Sequence, residues 1–281
     1  MRRQRIDWSK ITINDNFMFI TVFSDPELCR ELLERVLDKD IRKVEIIQSE
    51  RSLVPEISSK GIRMDVYLND EAGTVYDVEM QNAEKGDLER RSRYYLSAND
   101  LDCIDRGEDY REMRDSYVIF ICCFDPFRRG LVRYTITPHC REDDVEMIDG
   151  ATRLFVNAPA YEQCEDESLL VLLRYLSGGT IGDDFTKRVD DAVRRERDRP
   201  EWRRNRMKLL RMLDERYAEG RTEGRAEGRA EGRAELYGAY SRLATALREA
   251  GREDELYAAL TDTETLDRLL TEFGIELAAE D

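Results

Sequence analysis

GIRMDVYLNDEAGTVYDVEMQ, residues 61–81, reads as two alternating segments around a polar turn. Alternation puts Ile62, Met64, Val66 and Leu68 on one face of the first segment, with Arg63, Asp65 and Tyr67 on the other. In the second segment Tyr76, Val78 and Met80 take the apolar face and Asp77, Glu79 and Gln81 the opposite one. The turn Asn69-Asp70-Glu71-Ala72-Gly73 is short enough to pair the two segments as an antiparallel hairpin. Asp65 then lies opposite Asp77 or Glu79. Like charges facing each other across a sheet are destabilising, and crowded carboxylates raise one another's pKa unless something positive sits between them. A hard divalent cation such as Mg²⁺ relieves both effects through oxygen ligands and keeps waters that a phosphate can replace. The same alternation also fits a half-exposed hairpin with a solvated acidic face, and the pattern alone leaves both readings open.

The neighbouring segments decide what the hairpin is built into. Asn14 to Leu37 holds two helical patterns separated by Ser24-Asp25-Pro26. Ser24 or Asp25 can cap the second, with Pro26 in its first turn and Leu28, Leu32, Val36 and Leu37 on one stripe. Val44–Gln48 is a short strand candidate, and Leu88–Leu101 reads as a helix. The run Tyr117–Phe124 (YVIFICCF) has the character of a strand covered on both faces. Arg133–Thr137 and Thr152–Asn157 complete the set of expected strands. This order predicts a mixed α/β domain over residues 1–178.

Residues 179–235 form a charged helical segment ending in EGRTEGRAEGRAEGRAE, and residues 236–281 a small helical segment. Gly220, Gly224, Gly228 and Gly232 each cost a helix about 1 kcal/mol relative to Ala. A four-residue period drifts about 40° per repeat around a helix, so the glycines form a slow spiral. That spiral suits either close approach of two helices or a solvated, partly helical linker.

Composition narrows the function classes. The chain has 281 residues, 41% of them hydrophobic, enough to bury a core. Its longest apolar run is too short to span a bilayer and MRRQRIDWSK has no signal-peptide character, so no membrane and a cytoplasmic location are expected. The six cysteines lack CxxC or metal-ligand spacing, which points to free thiols. His139 is the one histidine, so His-based nucleophilic or metal chemistry would depend on it alone. The net charge of -16 repels polyanions, so nucleic-acid binding would need a local basic patch or a bridging cation.

Seven blocks together carry a resemblance: NDNFMF (14–19), DPELCRELLERVL (25–37), GIRMDVYLND (61–70), VYDVEMQ (75–81), RRSRYYLSAND (90–100), YVIFICCFDPF (117–127) and TRLFVN (152–157). They resemble the PD-(D/E)XK nuclease superfamily, and within it the recombination-promoting nuclease and transposase family with its D…ExQ variant. The resemblance implies a restriction-endonuclease-like α/β core, a mixed central sheet flanked by helices, with an α-helical C-terminal tail. It makes Asp65 and Glu79 the metal-binding carboxylates and puts Gln81 where the superfamily usually has lysine. A neutral amide cannot give positive charge to a transition state. Met64 stands where the motif's name has proline, which touches no chemistry. The superfamily often adds a carboxylate from its first helix, a place for Glu34 or Glu31. Arg90, Arg91 and Arg93, with Tyr94 and Tyr95, begin the helix where phosphate contacts are expected; the same arginines can pair instead with Glu84, Asp87 or Glu89. The implied activity is a Mg²⁺- or Mn²⁺-dependent DNA endonuclease linked to recombination or transposition. The alternative is a nuclease-derived interaction protein without turnover, forming a homo-oligomer through its tail.

Overall fold

The computed structural model describes residues 6–53, 62–84, 86–104, 107–143 and 145–275. Only the backbone is described at 48–53, at 62–64 and at scattered positions between 213 and 234. Gly61, residues 276–281 and the side chains of Ile62, Arg63 and Met64 thus lie outside the described residues. The chain forms two compact units, Met1–Arg206 and Met207–Asp281.

In the first unit the described residues form a six-stranded mixed sheet. Its strands are β1 (Val44–Leu53), β2 (Ile62–Asp70), β3 (Val75–Gln81), β4 (Ser116–Cys122), β5 (Arg133–Ile136) and β6 (Ala151–Asn157), in the order β1-β2-β3-β4-β6-β5. β2 runs antiparallel to both β1 and β3, β4 lies parallel to β3 and β6, and β5 closes the far edge antiparallel to β6. The hairpin turn is set by Asp70, whose carboxylate accepts from the N–H groups of Ala72 and Thr74 at 2.9 Å each. Gly73 follows at φ 85°, a left-handed conformation that glycine takes without steric cost.

Helices cover both faces. α1 (Asn16–Phe23) is nearly all apolar, so it belongs inside, and α2 (Pro26–Leu37) presents Leu28, Leu32, Leu33 and Val36 as an apolar stripe. Asp25, rather than Ser24, caps α2 by accepting from the N–H groups of Glu27 and Leu28. With α4 (Glu167–Gly178) and α5 (Asp184–Asp198) these helices share a core with Val66, Leu68, Tyr76, Val78 and Met80. The opposite face is covered by α3 (Leu88–Cys103), whose Leu88, Tyr95 and Ala98 meet Tyr67, Val75, Val118 and Phe120. β3 is consequently buried at every position, which excludes the half-exposed hairpin with a solvated acidic face.

The first unit extends past residue 178. Phe185, Val189, Ala192 and Val193 of α5 enter the same core, and so does Trp202 at the start of α6 (Pro200–Glu249). The Trp202 ring lies 5.3 Å from Phe17 and 6.2 Å from Trp8, and its Nε1 donates to Thr21 Oγ1 at 3.0 Å. Helix α6 runs unbroken through the four-residue repeat. In the second unit its end packs Leu243 and Leu247 against α7 (Glu255–Thr261) and α8 (Thr263–Glu272), the latter capped by Asp262. Among the described residues no helix is long and apolar enough to cross a membrane. All six cysteines are free thiols; burial pushes those of Cys29 and Cys122 up to about 12.

Candidate active site

The register of the hairpin pairs Val66 with Val78 and Tyr67 with Asp77, which sets Asp65 across from Glu79. At that point side chains take over from the backbone ladder. The Asp65 N–H donates to Glu79 Oε1 at 3.0 Å, and the Met80 N–H donates to Asp65 Oδ2 at 3.1 Å. Each carboxylate is therefore tied to the backbone of the opposite strand. Asp65 is 5% and Glu79 3% exposed.

Gln81 ends β3, beside Cys122 at the end of the parallel strand β4. Its Nε2 donates to Glu79 Oε2 at 3.3 Å. Carboxyl ends of parallel strands are where α/β sheets usually place ligands. Here the first turns of α3 overhang that end and deliver Arg91. The Arg91 guanidinium donates to Gln81 Oε1 at 3.1 Å and stands 3.6 Å from Glu79 Oε2. It rests on the faces of Phe120 and Tyr95, 5.3 and 5.6 Å from their centroids. A small cavity of about 80 Å³ opens beside Gln81 and Arg91, with Asp87, Phe124 and Pro126 in its wall.

The electrostatics follow from burial. Glu79 is held well above the usual carboxylate range, first by desolvation and then by repulsion from Asp65 and Asp77, against the pull of Arg91. Asp77 is fully buried, and among the described residues neither of its carboxylate oxygens has a hydrogen-bond partner. Desolvation and the nearby Asp65 push its pKa well up, again opposed by Arg91. The resemblance leaves Asp77 without a role, although the alternation of β3 puts it on the same face as Glu79 and Gln81.

The helix-borne acids lie elsewhere. α2 packs on the face of the sheet opposite to Asp65 and Glu79. Glu34 binds Arg30 at 2.7 Å and accepts from the Ile41 N–H at 3.1 Å, while Glu31 pairs with Arg35 at 3.2 Å and with Arg188. Neither is brought to the carboxylate pair. Of the three arginines that begin α3, Arg91 turns into the site, whereas Arg90 and Arg93 are exposed. Among the candidate partners, Asp87 lies 3.9 Å from Arg91, while Glu84 pairs with Arg128 at 3.1 Å.

An oxygen-only donor set, two adjacent carboxylates and an orphaned buried acid beside them fit a hard divalent cation. Among the described residues no three side chains of His, Cys, Asp or Glu type converge as a ready-made metal cage. Mg²⁺ does not need one, since it commonly binds through one or two carboxylates and completes its shell with water and phosphate oxygens.

No curated protein and no solved structure matches the chain. The family model of the PD-(D/E)XK nuclease family transposases matches residues 14–163, more than half of the 281 residues. The matched span runs from just before α1 through the hairpin, α3 and the parallel strands to the short turn that follows β6, and so takes in the elements that build and surround the carboxylate pair. Nucleases of the PD-(D/E)XK type typically work with divalent metal ions on DNA. By its sequence, this chain belongs to the PD-(D/E)XK nuclease family transposases.

Proposed function

We propose that the chain is a DNA endonuclease that hydrolyses phosphodiesters with the help of Mg²⁺ or Mn²⁺, in the service of recombination or transposition. The observation that supports this most is the buried pair Asp65 and Glu79, each held by the other strand's backbone and sharing its face with Gln81. Asp65 and Glu79 would hold the cation. When bound, it polarises a phosphodiester and lowers the pKa of an attacking water. Gln81 sits at the strand end with its amide already placed at Glu79, where it orients that water or donates to a phosphate oxygen. Tyr95 and Phe120 wall the site on the α3 side and keep bulk water from the carboxylates. The exposed Arg90 and Arg93 offer contacts to the DNA backbone, which the net charge of -16 otherwise repels.

The test is nicking of a supercoiled plasmid with Mg²⁺ or Mn²⁺ by the wild type, Asp65→Asn and Glu79→Gln. These variants keep an oxygen acceptor for the backbone N–H groups, so the fold is spared. Cleavage is expected from the wild type alone; equal cleavage by all three would overturn the site.

A second reading concerns assembly. The continuous helix α6 exposes its glycine row, with nothing among the described residues near the position a Cβ would take at Gly220, Gly224, Gly228 or Gly232. Self-association through the tail would cover this stretch. Sedimentation of the full chain at micromolar concentration gives a dimer or larger species if the reading holds, and a monomer if it does not.

A further inference from the structure

The carboxylate cluster has Arg91 for its counter-charge, and the way Arg91 is held suggests two tasks. Its position is fixed from several sides: by Gln81 Oε1 at 3.1 Å, by Glu79 Oε2 at 3.6 Å and by the two aromatic faces beneath it. Its charge acts on both Asp77 and Glu79. Yet its Nε is buried without a hydrogen-bond partner among the described residues, so the planar fork is not fully used in this arrangement. The guanidinium also borders the small cavity at the mouth of the site, beside Gln81.

We propose that Arg91 is a catalytic residue that alternates between two anions: it neutralises Glu79 before a cation binds, and it is released to the phosphodiester once the cation has taken Glu79. This rests on the endonuclease reading above. In the hydrolysis a water oxygen forms a new bond to phosphorus and one ester P–O bond breaks. The departing alkoxide gains a proton, and the attacking water loses one. Negative charge on the phosphoryl oxygens rises on the way, and preorganised donors aimed at such charge act strongly in a dry site. Gln81 can donate a hydrogen bond but, being neutral, brings no positive charge to meet it. Arg91 is adjacent, brings a positive charge and has a fork that matches two phosphate oxygens.

Such an alternation makes Arg91 a competitor of the cation and a helper of the reaction, so its removal moves two readouts in opposite directions. The experiment uses the full chain and measures Mn²⁺ binding by titration calorimetry, and kcat and KM on a DNA duplex, for the wild type, Arg91→Gln, Arg91→Lys and Glu79→Gln. Arg91→Gln is expected to bind Mn²⁺ at least tenfold more tightly, since removing one unit charge roughly 6 Å from a divalent ion is worth about tenfold even at the dielectric of water and more in a site closed to it. Its kcat is expected to fall by about 100-fold with KM little changed, the usual effect of losing one transition-state donor. Arg91→Lys, which keeps the charge but not the fork, should return the metal affinity to the wild-type value and recover part of kcat. Weaker Mn²⁺ binding together with lost cleavage in Arg91→Gln would mean a structural prop, and a raised KM at unchanged kcat would mean a DNA contact remote from the reaction. Either result overturns the proposal. Wild-type protein that binds no Mn²⁺, or Glu79→Gln that binds it undiminished, overturns the endonuclease reading itself.

Discussion

Replacing Asp77 with Asn should stabilise the protein, and more so as the pH rises. Asp77 is fully buried, and neither of its carboxylate oxygens finds a hydrogen-bond partner among the described residues. Its pKa is pushed well up by desolvation and then by Asp65, with Arg91 pulling the other way. Well below the unfolded value, at about pH 3 and lower, Asp77 is largely protonated in both the folded and the unfolded chain, and the substitution changes little. As the pH rises above the unfolded value of about 3.9, the unfolded chain loses the proton while the folded one retains it, so folding becomes less favourable. Asn has nearly the same shape and no proton to lose, so it escapes this penalty. A buried polar group left unpaired costs about 1–3 kcal/mol, and more when charged. The amide still lacks partners, so a gain of about 1–2 kcal/mol at pH 8 is the expected net effect. For a unit of this size that corresponds to a rise of roughly 2–8 °C in Tm. Urea unfolding in EDTA at pH 4.5 and pH 8, wild type against Asp77→Asn, measures it. A variant that is less stable at pH 8, or whose gain is the same at both pH values, would refute the reasoning and show that Asp77 is stabilised by interactions of its own.

Two further substitutions probe the framework around the site. Glu34→Gln should leave both Mn²⁺ affinity and cleavage unchanged while costing about 1 kcal/mol, because Glu34 serves Arg30 and the Ile41 N–H on the other side of the sheet; a loss of metal binding measured by calorimetry would return it to the site. Trp202→Ala should cost about 3–5 kcal/mol in thermal unfolding, since the indole is 4% exposed against Phe17 and Trp8. A change below 1 kcal/mol would show that the start of α6 is not part of the first unit's core.

Much of the fold is legible in local pattern. Strict alternation in β2 and β3, the turn signal at Asp70–Gly73 and the β-branched run of β4 each point to one structure, and the chain adopts it. The juxtaposition of Asp65 and Glu79 follows from the same alternation, with the register choosing Glu79 over Asp77. What local pattern leaves open depends on packing. No periodicity tells which sheet face α2 covers, so Glu34 and Glu31 remain candidates until the layers are known. The burial of Asp77 depends on α3, which arrives later in the chain and closes the acidic face. Arg91 is similarly indistinguishable from Arg90 and Arg93 until the orientation of α3 turns one of the three inward. α5 does carry a helical stripe at Phe185, Val189, Ala192 and Val193, with spacings of four, seven and eight. Its abundant arginine and aspartate mask the stripe, and the domain therefore reads as ending too early.

The hydrogen bonds by which Asp65 and Glu79 each hold the opposite strand's backbone have a consequence for descent. Because Asp65 Oδ2 receives the Met80 N–H and Glu79 Oε1 the Asp65 N–H, these side chains act as the last rungs of the β2–β3 ladder. Drift that abandoned cleavage would still be held at both positions by the need for an oxygen acceptor of the right length. Relatives that have lost activity should therefore show Asn or Gln there far more often than Ala, Val or Leu. In such a lineage the acidic signature can outlast the reaction it once served, preserved as scaffolding, so the signature by itself is a record of ancestry before it is a sign of turnover.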